Sequence, residues 1–169
     1  MSPEPKSGYI FQINASGGGV PKKGMHDAQV QILGIQGDQH THTKIHGGPE
    51  RALCLYSLER ILELQSEGHP VFPGSLGENL TVAGLDWEQV LPNVCMRLGA
   101  RVLIQITRFT TPCNTITASF ADGNSLRISH EKHPGWSRVY ARVLRGGNIQ
   151  VGDRVTMEKN LGYGERGVL

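Results

Sequence analysis

Cys113 stands in the run Thr111-Pro-Cys-Asn114, where an apolar segment starting at Arg101 ends and a short helix capped by Asn114 can begin. A thiol beside a helix start, with Arg108 nearby, is favoured as the thiolate, the form that attacks electrophiles and binds soft metals. Cys54, inside Ala52-Leu-Cys-Leu-Tyr56, and Cys95, between Val94 and Met96, read instead as small buried residues. Three glycine-bearing polar clusters accompany Cys113: Gly17-Gly-Gly-Val-Pro-Lys-Lys23, the stretch from Gly37 to Gly48, and Gly77-Glu-Asn-Leu80. Glycines let backbone amides approach a ligand closely, and with Lys22 or Lys23 such amides make a concavity suited to phosphate. The alternative is a set of ordinary turns needing positive φ, since no cluster has a Walker or dinucleotide-binding spacing. His40, His42 and His46 admit a facial metal site, with a solvated polar loop as the other reading.

These residues must be held by strands. Short apolar or alternating runs bounded by turn residues predict strands over Tyr9–Ile13, Ala28–Leu33, Ala52–Tyr56, Leu80–Val82, Arg101–Thr107, Val139–Leu144 and Arg154–Met157. Two further segments, Asn93–Val102 and Asn148–Val155, share a plan in which a turn carrying Gly99 or Gly152 leads into a strand. One helix is predicted, capped by Ser57, with Leu58, Ile61, Leu62 and Gln65 on one face and Gly68 and Pro70 stopping it. Between Asn114 and His130 the pattern is mixed, with a turn at Asp122-Gly-Asn124. Twenty-two glycines and nine prolines spread among apolar runs suit a sheet-rich barrel.

A chain of 169 residues fits one domain, 1–169, with the motifs between about 16 and 155 and frayed ends outside them. Three widely spaced cysteines exclude a disulfide framework or a four-cysteine zinc site and suit a reducing compartment. Seventeen basic and fifteen acidic residues, without runs of like charge, exclude a general nucleic-acid surface. No apolar run reaches the roughly 18 residues of a membrane span and no signal peptide is evident, so a soluble cytoplasmic protein is expected.

Taken in order, Gly19-Val-Pro-Lys22, Gly37-Asp38, His46-Gly-Gly-Pro49, Gly77-Glu-Asn-Leu80, Pro112-Cys113, Gly135-Trp136, Ala141-Arg-Val-Leu144, Gly147 and Gly152-Asp153 resemble the MOSC family, named for the C-terminal domain of molybdenum cofactor sulfurase. The likeness spans about Ser16 to Val155 and is greatest to stand-alone bacterial members of YiiM type. It implies a mainly β fold, a β-barrel with a few peripheral helices and a pocket at one end where the marked loops converge. It also implies a molybdenum–molybdopterin cofactor, with Cys113 as catalytic cysteine and molybdenum ligand. His46, Gly47, Gly48 and Asn79 match pocket motifs, and Lys22 and Arg142 match basic positions suited to the pterin phosphate. This chain has His42 and Thr110 where many relatives carry an acidic residue and an arginine, leaving Arg108 as a nearby guanidinium.

The resemblance implies reduction of small N-hydroxylated compounds. A separate electron-donor protein is expected, because the sequence has no flavin or dinucleotide motif and too few cysteines for an ordinary iron–sulfur cluster. The alternatives are a sulfur carrier holding a persulfide on Cys113 for cofactor sulfuration, and a mononuclear metal hydrolase built on the three histidines. Alternation in Val139–Leu144 places Arg142 on a face with Tyr140 and Leu144, where it would hold a phosphate or pair with a carboxylate.

Overall fold

The computed structural model describes residues 7–39 and 47–158. Its frame is a closed barrel of seven strands: β1 (Ser7–Ala15), β5 (Leu53–Ser57), β6 (Leu80–Ala83), β7 (Cys95–Leu98), β8 (Val102–Phe109), β9 (Val139–Arg145) and β11 (Arg154–Glu158). They run in the order β11-β7-β8-β9-β5-β6-β1, and pairing of β1 with β11 at Ser7↔Thr156, Gly8↔Val155 and Tyr9↔Arg154 closes the ring. Closure removes the unpaired edges an open sheet would present. A short β2 (Lys23–Met25) hangs on β1, and β10 (Gly147–Gln150), β3 (Asp27–Gln31) and β4 (Gly34–Ile35) form a second, smaller sheet.

All described pairings are antiparallel except β5 with β6, and the crossover between those two contains the α-helix α1 (Leu58–Ser66). A parallel pair needs such a connection because no tight turn can join it. Ser57 caps α1, its hydroxyl accepting from the Arg60 amide at 3.2 Å. The face that packs is Ile61 and Leu64; Leu62, expected on it, is 51% exposed. The packed face therefore shares Ile61 with the predicted one and departs from it at Leu62: the i, i+3 pair 61 and 64 turns inward, and Leu62 lies about 100° away from Ile61.

Every expected strand is present, although the one expected over residues 28–33 stops at Gln31, because Ile32 and Leu33 form the exposed turn into β4. Alternation does the positioning in β9, where Val139, Ala141 and Val143 are buried and Tyr140, Arg142 and Leu144 are partly exposed. At Gly8 the backbones of β1 and β6 come so close that a Cβ would overlap the carbonyl of Ala83. Beyond Cys113 the chain forms two 3-10 turns, Asn114–Ser119 and Ser125–Ile128, in place of an α-helix. Cys113 occupies the cap position of the first without a side-chain capping bond, so Asn114 is not its cap. Among the described residues no helix is long and apolar enough to cross a membrane.

Candidate functional site

Cys54 of β5 and Tyr140 of β9 are register partners, so their side chains share the sheet face opposite to Leu53, Leu55, Val139 and Ala141. A cleft of about 630 Å³, its open mouth included, lies on that face. Lys22, Cys54, Asn79, Cys113, Arg138 and Tyr140 line it, with Gly19, Gly77 and Arg51 at its walls. Gly77 has φ +81° and a Cβ there would come to 3.2 Å from the Val20 side chain, which closes the gap between two of the loops. All four clusters singled out in the sequence thus contribute to the cleft, the stretch from Gly37 to Gly48 through Gln39.

Asp38 ties these loops together. Its carboxylate, with the side chain only 2% exposed, accepts from Lys22 Nζ at 2.6 Å, from Asn79 Nδ2 at 2.8 Å and from the Ser16 amide at 3.0 Å. Asn79 in turn accepts from the Cys54 amide at 3.0 Å and donates to the Asn14 carbonyl at 3.3 Å. Buried charges persist only when paired and bonded in this way. The Lys22 ammonium is consequently matched inside the protein, although its side chain still borders the cleft.

Arg138 brings a second buried cation. It is 5% exposed, its Nη1 donates to the Leu76 carbonyl at 2.5 Å, and its Nε has no partner among the described residues. Glu78 is fully buried; its Oε1 accepts from the Gly74 amide at 3.0 Å and its Oε2 has no partner among the described residues. Burial pushes the Glu78 carboxyl up to about 7, with backbone donors and the charge of Arg138 opposing the rise. Burial likewise pushes the Cys54 thiol up to about 11 and the Tyr140 phenol up to about 12, so both are neutral near pH 7. Cys113 is half-buried and its sulfur lies 2.7 Å from Thr115 Oγ1. Arg51 sits over the Tyr140 ring at 5.6 Å.

Of the residues expected to form a site, Cys113, Lys22 and Asn79 line the cleft together. Gly47 and Gly48 do not line it; Gly48 precedes the 3-10 turn Pro49–Arg51, which presents Arg51 to it. His46, with His40 and His42, lies outside the described residues. Arg142 lies away from the cleft lining, and its Nη2 pairs with Glu50 at 3.0 Å in a half-exposed ion pair. Arg108 is exposed and does not line the cleft. The guanidinium groups there come from Arg51 and from Arg138, whose carbonyl accepts from the Thr110 amide at 3.0 Å. Arg138 was missed because it precedes the apolar run of β9, yet extending the alternation back from Tyr140 by two residues puts it on Tyr140's face. Cys54, expected to be merely buried, also borders the cleft.

Comparison with known proteins agrees with this architecture. A family model described as the MOSC domain matches residues 42–156. A protein called "Reductase" from Gibberella moniliformis is 30% identical over 92% of this chain, a match that accounts for 30% of that protein. Protein YiiM of Escherichia coli is 31% identical over 70% of this chain and half of its own length. YflK of Bacillus subtilis, uncharacterized, is 31% identical over 79% of this chain and 58% of its own length. The chain thus spans between 30% and 58% of these curated relatives. Two solved structures share the fold: YiiM from Geobacillus stearothermophilus, TM-score 0.68 at 24% identity over 90% of this chain and 75% of that one, and the YUAD protein from Bacillus subtilis, TM-score 0.71 at 16% identity over 91% and 97%. With a family model covering most of the chain, a curated relative 30% identical over 92% of it and a barrel of the same fold, the chain belongs to the MOSC domain family.

Proposed function

We propose that this protein binds a molybdenum–molybdopterin cofactor in the cleft and reduces small N-hydroxylated compounds with electrons from a separate donor protein. MOSC domains are associated with molybdenum cofactor binding in general, and one relative carries the name reductase. The observation that carries the reading is the joint presence in one cleft of a half-buried thiol, Cys113, and a buried guanidinium with an unpartnered Nε, Arg138. That donor set fits the group: a soft thiolate suits molybdenum, and a guanidinium suits a phosphate. Lys22 and Arg142, whose charges are met by Asp38 and Glu50, are less suited to the phosphate than Arg138.

When bound, such a cofactor supplies a two-electron metal redox centre. Conversion of N–OH to N–H consumes two electrons and two protons and releases water. This chain's own residues would orient and exclude. Cys113 would offer sulfur to the metal, Arg138 and the loop amides around Gly19 and Gly77 would clamp the anionic end, and Tyr140, held as a neutral phenol, can donate a hydrogen bond to substrate oxygen. The proposed location is the cytoplasm.

Purification from a host able to make molybdenum cofactor, followed by measurement of molybdenum, zinc, pterin and persulfide, tests this reading. Near-stoichiometric molybdenum and pterin in the wild type, with molybdenum lost in Cys113→Ser, are expected. A Cys113 persulfide without metal or pterin would replace the reading by the sulfur carrier, and zinc alone would replace it by a hydrolase on the histidines.

A further inference from the structure

We propose that Arg138 is the anion-holding cation of the cleft and that Glu78 behind it sets its strength, so that a small oxoanion binds there together with a proton. The inference deepens the proposed function by naming what regulates the same cleft, and it rests on that reading only for the identity of the physiological anion. Its basis is a pair of orphaned atoms of opposite charge. Arg138 Nε and Glu78 Oε2 are both buried without partners among the described residues, in side chains 5% and 0% exposed. Such vacancies are costly unless something else meets them. Arg138 reaches the cleft and Glu78 does not, since Gly77 and Asn79 on either side of it line the wall while its own carboxyl turns to the Gly74 amide.

Of the other charged or titratable groups around the pair, Cys113 lines the same cleft, and the comparison with Glu78→Gln separates its contribution from that of Glu78. Lys22 is matched by Asp38 at 2.6 Å, Arg51 lies over Tyr140, and the Cys54 thiol and Tyr140 phenol are neutral below pH 9 because burial raises both. With Glu78 protonated, Arg138 faces the cleft as an uncompensated cation. With Glu78 ionised, its carboxylate neutralises that charge from behind and the cleft's attraction for an anion falls. Burial pushes Glu78 up to about 7, which places the change in the physiological range. Linkage is reciprocal: an anion on Arg138 withdraws the charge that helps Glu78 ionise, so binding draws in a proton.

Sulfate is a suitable probe because its charge is constant from pH 6 to 8.5. Protein made in a host lacking molybdenum cofactor would be titrated with sulfate by calorimetry at both pH values. The wild type should bind about tenfold tighter at pH 6, within the usual range for coupled sites. Glu78→Gln should keep the tighter affinity at pH 8.5, and Arg138→Met should lose about tenfold or more at pH 6. The comparison with Glu78→Gln decides, because it removes this one titrating group. If that variant keeps the wild-type pH slope, if Arg138→Met binds sulfate normally, or if the wild type binds none at pH 6, the proposal is overturned. Should either variant fail to fold, proton uptake by the wild type at pH 7.5, read from buffers of different ionisation enthalpy, replaces it, and zero uptake refutes it. Because cofactor is absent from this protein, failure of the molybdenum reading leaves the result intact, and the reverse holds equally.

Discussion

Replacing Glu78 by glutamine should stabilise the protein above neutrality and change little in acid. The carboxyl is fully buried, and burial raises it from 4.5 to about 7. At about 1.4 kcal/mol per unit, that rise costs the folded state about 3 kcal/mol wherever the unfolded chain is ionised and the full difference has developed. Below pH 4.5 both states are protonated and the group contributes nothing. Between 4.5 and about 7 the unfolded chain has released its proton and the folded protein has not, so stability falls as pH rises; above about 7 the loss is constant. Glutamine retains an acceptor for the Gly74 amide and cannot ionise. Urea denaturation of both proteins at pH 5, 6, 7 and 8 should show the glutamine variant gaining about 2 to 3 kcal/mol on the wild type across the series. A stability difference that is flat between pH 5 and 8, or that moves against the variant, would refute the linkage.

Asp38→Ala should cost about 3 to 5 kcal/mol by leaving the buried Lys22 ammonium unpaired, and adding Lys22→Met should recover part of that loss in urea melts. A thiol-alkylating reagent near neutral pH should modify Cys113 well before Cys54, whose thiol burial raises to about 11, and Cys95, as peptide mass analysis would show; modification of Cys54 first would move the reactive centre. Arg142→Ala should lower stability by less than about 1 kcal/mol, because its pair with Glu50 is half-exposed, and should leave sulfate affinity unchanged. Loss of anion binding in that variant, with the melt unaltered, would return the phosphate to Arg142.

The barrel was legible where one face of a strand is buried. Val139, Ala141 and Val143 alternate with partly exposed residues, and that period is visible in the sequence. β2 and β4 were not legible, since three residues all exposed and two residues both buried contain no period. β7 was read only as the approach to a glycine turn, although Gly99, with φ +62°, separates it from β8 as a hairpin. The segment after Cys113 resisted for a different reason: 3-10 turns of six and four residues are too short to establish a helical period. α1 was recognised by its cap and its stop, while its inner face was misjudged because Leu62 and Leu64 are equally apolar and only the position of the barrel distinguishes them.

The cleft's composition was more legible than its electrostatics, and the difference follows from how far apart the partners are. Gly19, Lys22, Gly77, Asn79 and Cys113 announce a polar site through local composition. Whether a basic residue is available to a ligand depends on what the fold sets opposite it. Lys22 meets Asp38 sixteen positions on, and Arg142 meets Glu50 of the 3-10 turn before β5, so the two cations most conspicuous in the sequence are already matched. Arg138 is inconspicuous, yet its bond to Leu76 crosses 62 positions and delivers it to the cleft, two residues along the same turn from a buried carboxyl that changes its charge around pH 7. Formal charge counted along the chain therefore does not say which cation is left for a ligand. In the proposed pairing the usable charge is the one whose partner is conditional, and that condition is the proton on Glu78.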